Sequence, residues 1–159
     1  MTLEKILVTA KADLPSKHIN FHPAYEYGKT EVVPLDRDSG SQCAVTFYDI
    51  APGKANYPYH YHSASEEVFY IISGHGVVET NEGEVPIAAG SVVVCPPCEA
   101  GAHRIRNTSN TEKLCYIDID TMPKADVAFY PKTGKIGVFA GGSNKFYAAS
   151  AECGYYDGE

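Results

Sequence analysis

The feature that most constrains this chain is its rhythm. From residue 44 onward, short β-branched and aromatic runs recur about every ten residues, each stopped by a turn. Ala44 to Ile50 reads as a strand and Pro52-Gly53 as a turn. Val68 to Ile72 stops at Ser73-Gly74. Val77 to Thr80 and Val85 to Ala88 flank a hairpin turn at Asn81-Glu82-Gly83. Val92 to Cys95 ends at Pro96-Pro97, His103 to Asn107 follows, and Lys113 to Asp120 closes the series. About eight strands at this spacing predict an all-β sandwich or barrel. Fourteen glycines, ten prolines and twelve tyrosines in 159 residues favour the same class over long helices.

Inside this rhythm, His60 and His62 stand two apart with Glu66 and Glu67 close behind. Side chains two apart on an extended segment share a face, so both imidazoles point the same way. In this reading Tyr57, Tyr59 and Tyr61 form the opposite, aromatic face. His103 supplies a third imidazole. Neutral imidazole and carboxylate suit a divalent metal ion. The bland alternative is that these histidines are structural, which would leave several buried polar groups without a purpose. Glu66 and Glu67 fall on opposite faces, so one of them points inward.

The motifs resemble those of the cupins, small jelly-roll β-barrels. Gly53, six residues, His60-x-His62, four residues, Glu67, six residues and Gly74 follow the family's first motif with one extra residue before His60. Gly90, Pro96, His103 and Asn107 follow the second. Cys98 stands where the family has a glycine, two extra residues precede His103, and Gly101 is the candidate substitute. The resemblance implies a double-stranded β-helix over residues 44–120, with an N-terminal arm and first strands over 1–43 and an irregular tail over 121–159. The tail is expected to pack on the barrel or on a partner subunit. It implies His60, His62, Glu67 and His103 as ligands of one divalent transition metal ion: Fe, Mn, Zn, Ni or Co. The spacing to Gly74 selects Glu67, which is also the candidate catalytic base. The segment from Tyr130 to Val138 resembles small bacterial cupins loosely described as sugar-phosphate-isomerase-like.

Two function classes follow. One is a metal-dependent enzyme acting on a small oxygenated metabolite by isomerase, dioxygenase or lyase chemistry. The other is a binding or sensing module without turnover, since fold alone does not fix function. A homodimer is implied by the resemblance.

Other features narrow the field. A net charge of −7, with 13 dispersed basic residues, argues against nucleic acid. No apolar run approaches the ~20 residues of a spanning helix. The start lacks a signal-peptide pattern, and five cysteines without scaffold spacing suit a reducing cytoplasm. Cys95 and Cys98 read as incidental, because two prolines between them disfavour the redox geometry. His18 and His22 read as surface groups. Strand parity turns Arg104 and Arg106 outward, so the motif strands offer no phosphate-binding cation. Lys54, Lys132 and Lys135 could reach in from loops. Tyr48 or Phe47, with Phe69, Ile71 and Ile105, are expected to line the cavity. Asn56 is expected to orient a ligand.

Overall fold

The computed structural model describes residues 5–159. Thirteen strands run through them: β1 Ser16–His22, β2 Tyr25–Val33, β3 Cys43–Ile50, β4 Tyr61–His62, β5 Glu67–Ser73, β6 His75–Thr80, β7 Gly83–Ala88, β8 Val92–Cys95, β9 Arg104–Asn107, β10 Leu114–Thr121, β11 Ala125–Tyr130, β12 Lys135–Ala140 and β13 Ser143–Ala148. A six-stranded sheet has the order β1-β2-β3-β10-β5-β8. A three-stranded sheet, β7-β6-β9, and a four-stranded sheet, β13-β12-β11-β4, complete the architecture. The fold is an all-β jelly roll whose sheets stay open. No helix among the described residues is long and apolar enough to cross a membrane.

The strands outnumber the eight expected, and the surplus lies at both ends. Within the expected arm and first strands, residues 16–33 form β1 and β2 and extend the large sheet beyond β3. Ile6, Leu7 and Val8, in the part of the chain expected to be an arm or a short strand, are exposed and outside any strand, while Leu3 lies outside the described residues. Residues 121–159, expected to be irregular, hold β11, β12 and β13. Glycine and lysine obscure the strand pattern there, but antiparallel pairing over 125–148 imposes it.

Alternation sets the core. On β3, Ala44, Thr46, Tyr48 and Ile50 are buried while their neighbours are half-exposed. On β5 the inward residues are Glu67, Phe69 and Ile71, and on β10 they are Leu114, Tyr116 and Asp118. Register stacks these into layers. Leu114 pairs with Ile50, Tyr116 with Tyr48 and Ile71, Asp118 with Thr46 and Phe69, and Asp120 with Glu67. Ile87 and Val78 of the small sheet and Ile105 of β9 pack against the apolar end. Asn107 is fully buried and ties three backbone carbonyls, those of Ile50, Ala51 and Glu112, at 2.8–3.2 Å. The motif asparagine therefore stitches the two sheets together.

Two motif glycines have a steric reason. Gly74 has φ +81°, and a side chain there would meet the Lys113 carbonyl at 2.3 Å. A Cβ on Gly101 would lie 2.0 Å from the Pro96 carbonyl oxygen. Gly101 thus allows the close backbone approach that Cys98, at the usual glycine position, is not needed for.

Candidate metal centre

Backbone pairing brings the first two imidazoles of the site together. His60 and His103 form an isolated antiparallel bridge, with N–H···O distances of 3.1 and 2.9 Å. Their ring centroids are 5.0 Å apart, and the rings of His60 and His62 are 5.1 Å apart. Glu67 enters from the first residue of β5 and is 8% exposed. Glu66 is exposed, its amide donating to Thr121 Oγ1 at 2.8 Å. Alternation along β5 decides between the two acids.

Each imidazole is held by its Nδ1. His60 Nδ1 meets the Pro58 carbonyl at 2.9 Å, and His103 Nδ1 meets the Gly101 carbonyl at 2.9 Å. His62 Nδ1 meets Asp126 Oδ2 at 2.5 Å. Carbonyl partners require the Nδ1–H tautomer, which leaves the Nε2 lone pair free. All three Nε2 atoms turn toward Glu67. His60 and His62 lie 4.0 and 3.9 Å from Oε1, and His103 lies 3.6 Å from Oε2. His60, His62 and Glu67 form a group that could hold a metal ion, with ligand atoms within 4.8 Å of one another. His103 borders that group on the far oxygen of Glu67.

Electrostatics favours bare nitrogens on His60 and His103. Burial, reinforced by the neighbouring imidazoles, lowers the His60 pKa to about 3. Burial lowers His103 to about 4. For His62, burial works against the proton, but the Asp126 hydrogen bond and the Glu67 charge outweigh it and raise the pKa. Burial raises Glu67 to about 7, although His62 pulls it down. Asp126 is held below the usual carboxylate range: its hydrogen bond to His62 overcomes the cost of burial.

Asp126 is a hub. Beyond His62, it accepts from the Ala64 amide at 2.9 Å and Ser65 Oγ at 2.8 Å, and it pairs with Arg37 at 3.2 Å. Arg37 also donates to the Pro123 carbonyl at 2.8 Å and to Ser65. One carboxylate thereby fixes a ring, a loop and the start of β11.

The group opens onto a cavity of about 390 Å³. Tyr130 stacks on His60 with ring centroids 5.6 Å apart and planes 15° apart. Tyr48 and Tyr57 share a hydroxyl contact of 2.8 Å in the wall. Phe139 and Phe146 come from the C-terminal strands. Asp118 and Asp120 line the same space on the far side of Glu67. Burial raises Asp118 well above its usual value, with the charges of Asp120 and Glu67 and the Asp120 contact adding to it. Burial and the Glu67 charge raise Asp120 to about 6, although its contact with Asp118 pulls it down.

Several expectations change here. The aromatic and ligand faces do not separate across 57–62. The strand spans only Tyr61–His62, and Tyr57 lines the cavity beside His60. Pro58 cannot donate to a ladder, so the period of two is lost before His60. Tyr48, not Phe47, faces inward. Phe69 packs on His103, whereas Ile71 sits in the core away from the cavity. Asn56 accepts from the Tyr57 amide. Arg104 and Arg106 do point outward, pairing with Glu79 and Glu84. Cations nevertheless reach the cavity: Lys29 from β2, Arg37, and Lys135 from the start of β12. Lys54 instead donates to the Pro23 carbonyl, and Lys132 pairs with Glu79. Cys95 is buried, with its thiol pushed up to about 12, while Cys98 is exposed. His18 and His22 lie exposed on β1.

Sequence reasoning missed Asp118, Asp120, Asp126, Arg37, Lys29 and Tyr130. A signal existed only for the first two: acids at i and i+2, on the parity of Tyr116 in an otherwise apolar strand.

Comparison with known proteins bears on the family and the fold. Residues 46–120 match the family model described as Cupin domain. An oxalate-binding protein of Thermotoga maritima is 42% identical over 53 residues, which are 33% of this chain and 42% of that protein's length. A crystal structure described as a candidate sugar phosphate isomerase, from Acidithiobacillus ferrooxidans, superposes with TM-score 0.76 at 27% identity, over 95% of this chain and 97% of that one. A sugar phosphate isomerase of the cupin superfamily from Silicibacter pomeroyi has the same TM-score at 17% identity, over 92% and 95% of the two chains, a likeness of fold.

Proposed function

Because this chain belongs to the cupin superfamily, we propose that it binds one divalent transition metal ion through His60, His62, Glu67 and His103 and acts on a small oxygenated metabolite. The observation that carries this reading is the shared arrangement of the imidazoles. Each Nδ1 is engaged by an acceptor, and each Nε2 faces one carboxylate. Bare nitrogens and a buried acid fit a borderline cation such as Fe, Mn, Zn, Ni or Co. When bound, the ion supplies Lewis acidity toward a ligand oxygen. The protein supplies the rest. Asp126 and the two carbonyls fix ring orientation, the aromatic wall limits water, and the small cavity admits a metabolite-sized ligand. Glu67, with its pKa near neutrality, is the group that would exchange a proton with that ligand.

A second reading remains for comparison: a module that holds a small ligand unchanged. The oxalate-binding relative favours it over the region it covers. We further take the protein to act in the cytoplasm as a homodimer. The exposed Tyr70, Ile72, Val92, Val94 and Ile119 on the outer face of the large sheet support a partner there. In this reading residues 44–120 carry the site, and the flanking segments complete its cavity.

The test is elemental analysis of the purified protein beside Glu67→Ala and Glu66→Ala. Glu67→Ala is expected to lose the metal and any turnover of a metabolite pool, whereas Glu66→Ala keeps both. A Glu67→Ala protein with full metal content and activity would overturn the reading. A ligand that copurifies and is returned unaltered by metal-loaded protein would favour the binding module.

A further inference from the structure

Glu67 faces two groups, and the imidazoles are only one of them. On its other side β10 turns Asp118 and Asp120 inward, and ligand oxygens of the three acids lie within 4.8 Å of one another. Asp120 is the strand partner of Glu67, and Asp118 is 4% exposed. Like charges this close, away from water, repel strongly, so the three acids keep a proton or a cation among them.

An independent observation points to the same place. Oδ1 of Asp118 and Oδ1 of Asp120 are buried without a hydrogen-bond partner, and so is the hydroxyl of Tyr116, the preceding inward residue of β10. Tyr116 is no part of the acid group and is fully buried. Buried polar atoms are paired as a rule, so orphaned oxygens along one strand face mark a missing partner. Lys29 lines the same cavity, but its ammonium pairs with Glu31 at 3.0 Å. Arg37 is committed to Asp126 and Pro123.

We propose that Glu67, Asp118 and Asp120 form a second cation site for a hard divalent ion of the Mg²⁺ or Mn²⁺ class, with Glu67 shared between it and the imidazole-lined site. The donor set decides the class. Carboxylate oxygens alone favour hard cations, whereas imidazoles favour later transition metals. The two sites therefore prefer different ions, and a ligand oxyanion between them would meet positive charge from both sides. The proposal rests on the metal-binding reading only through the shared Glu67.

The test uses full-length protein stripped with a chelator and titrated with Mn²⁺, followed by calorimetry and electron paramagnetic resonance. Two equivalents are expected to bind, and the second should replace the spectrum of an isolated ion with that of a spin-coupled pair. The isosteric Asp118→Asn/Asp120→Asn protein should bind one equivalent and show no coupling. The His60→Ala/His62→Ala protein should keep one equivalent on the acids. A wild type that saturates at one uncoupled equivalent overturns the second site and leaves the imidazole site standing. An Asp118→Asn/Asp120→Asn protein that still shows coupling overturns it as well.

Discussion

The two ends of the same three strands teach opposite lessons. At one end, Ile50 of β3, Ile71 of β5 and Leu114 of β10 are all fully buried and meet in an ordinary apolar core. A few residues along, the inward positions become Thr46, Glu67, Asp118 and Asp120. Tyr48, Phe69 and Tyr116 form the layer between. Both ends are largely buried, but the physics differs. The apolar end gains from removing hydrocarbon from water. The polar end carries desolvated carboxylates and imidazoles whose cost is offset by hydrogen bonds, by ion pairs and, in the proposed reading, by cations. Stability is made at one end and spent at the other, as is common where a site needs preorganised charge.

Substitutions can break or sharpen that contrast. The largest effect is expected from Asp126→Asn, which strikes the polar end at its hub. Asp126 is buried and paired with Arg37, so losing its charge should cost about 3–5 kcal/mol in denaturant unfolding. Freeing the His62 ring should also weaken metal binding about 10–100-fold in a chelator competition. If affinity held while stability fell, Asp126 would be a structural brace alone.

Leu114→Ala strikes the apolar end. It should cost about 2–5 kcal/mol, because Leu114 is fully buried among Ile50, Ile71 and Gly76. Metal affinity should stay within about twofold, as distant sites add independently. A large loss of affinity would show that the two ends are not separable.

The smallest effect concerns pH. Burial holds His103 at about 4 in the fold, against an ordinary 6.5. Below 6.5 the unfolded chain takes up a proton there that the fold refuses. The stability that neutral His103 contributes is therefore full above 6.5 and is lost as pH falls toward about 4. In metal-free protein, wild-type stability relative to His103→Asn should decline across that window. A pH-independent difference would show that His103 is not titrating as its burial implies.

Much of the fold was legible because period-two patterning is a local property. The hairpin at Asn81 to Gly83, the inward turn of Ile105 and Asn107, and the outward turn of Arg104 and Arg106 follow from alternation along single strands. Alternation also puts Glu66 and Glu67 on opposite faces, and the motif spacing to Gly74 picks Glu67, the one that is buried. Alternation failed around Tyr57 to His60, where Pro58 interrupts the ladder and Tyr57 turns to the same cavity as His60. On β10 it is ambiguous. Ile117 and Ile119 resemble core residues, but they flank the buried Asp118, and Ile119 is 37% exposed.

By itself the sequence determined the all-β class, most turn positions and the close approach of His60, His62 and Glu67 to a common point, because each depends on neighbours within one or two strands. Only the tertiary structure decided what surrounds that point. Asp126 and Tyr130 come from β11, Arg37 from the loop after β2, and Lys29 from β2. These contacts join residues far apart in the chain. No local pattern encodes them, because they exist only once the sheets have packed and brought their ends over one cavity.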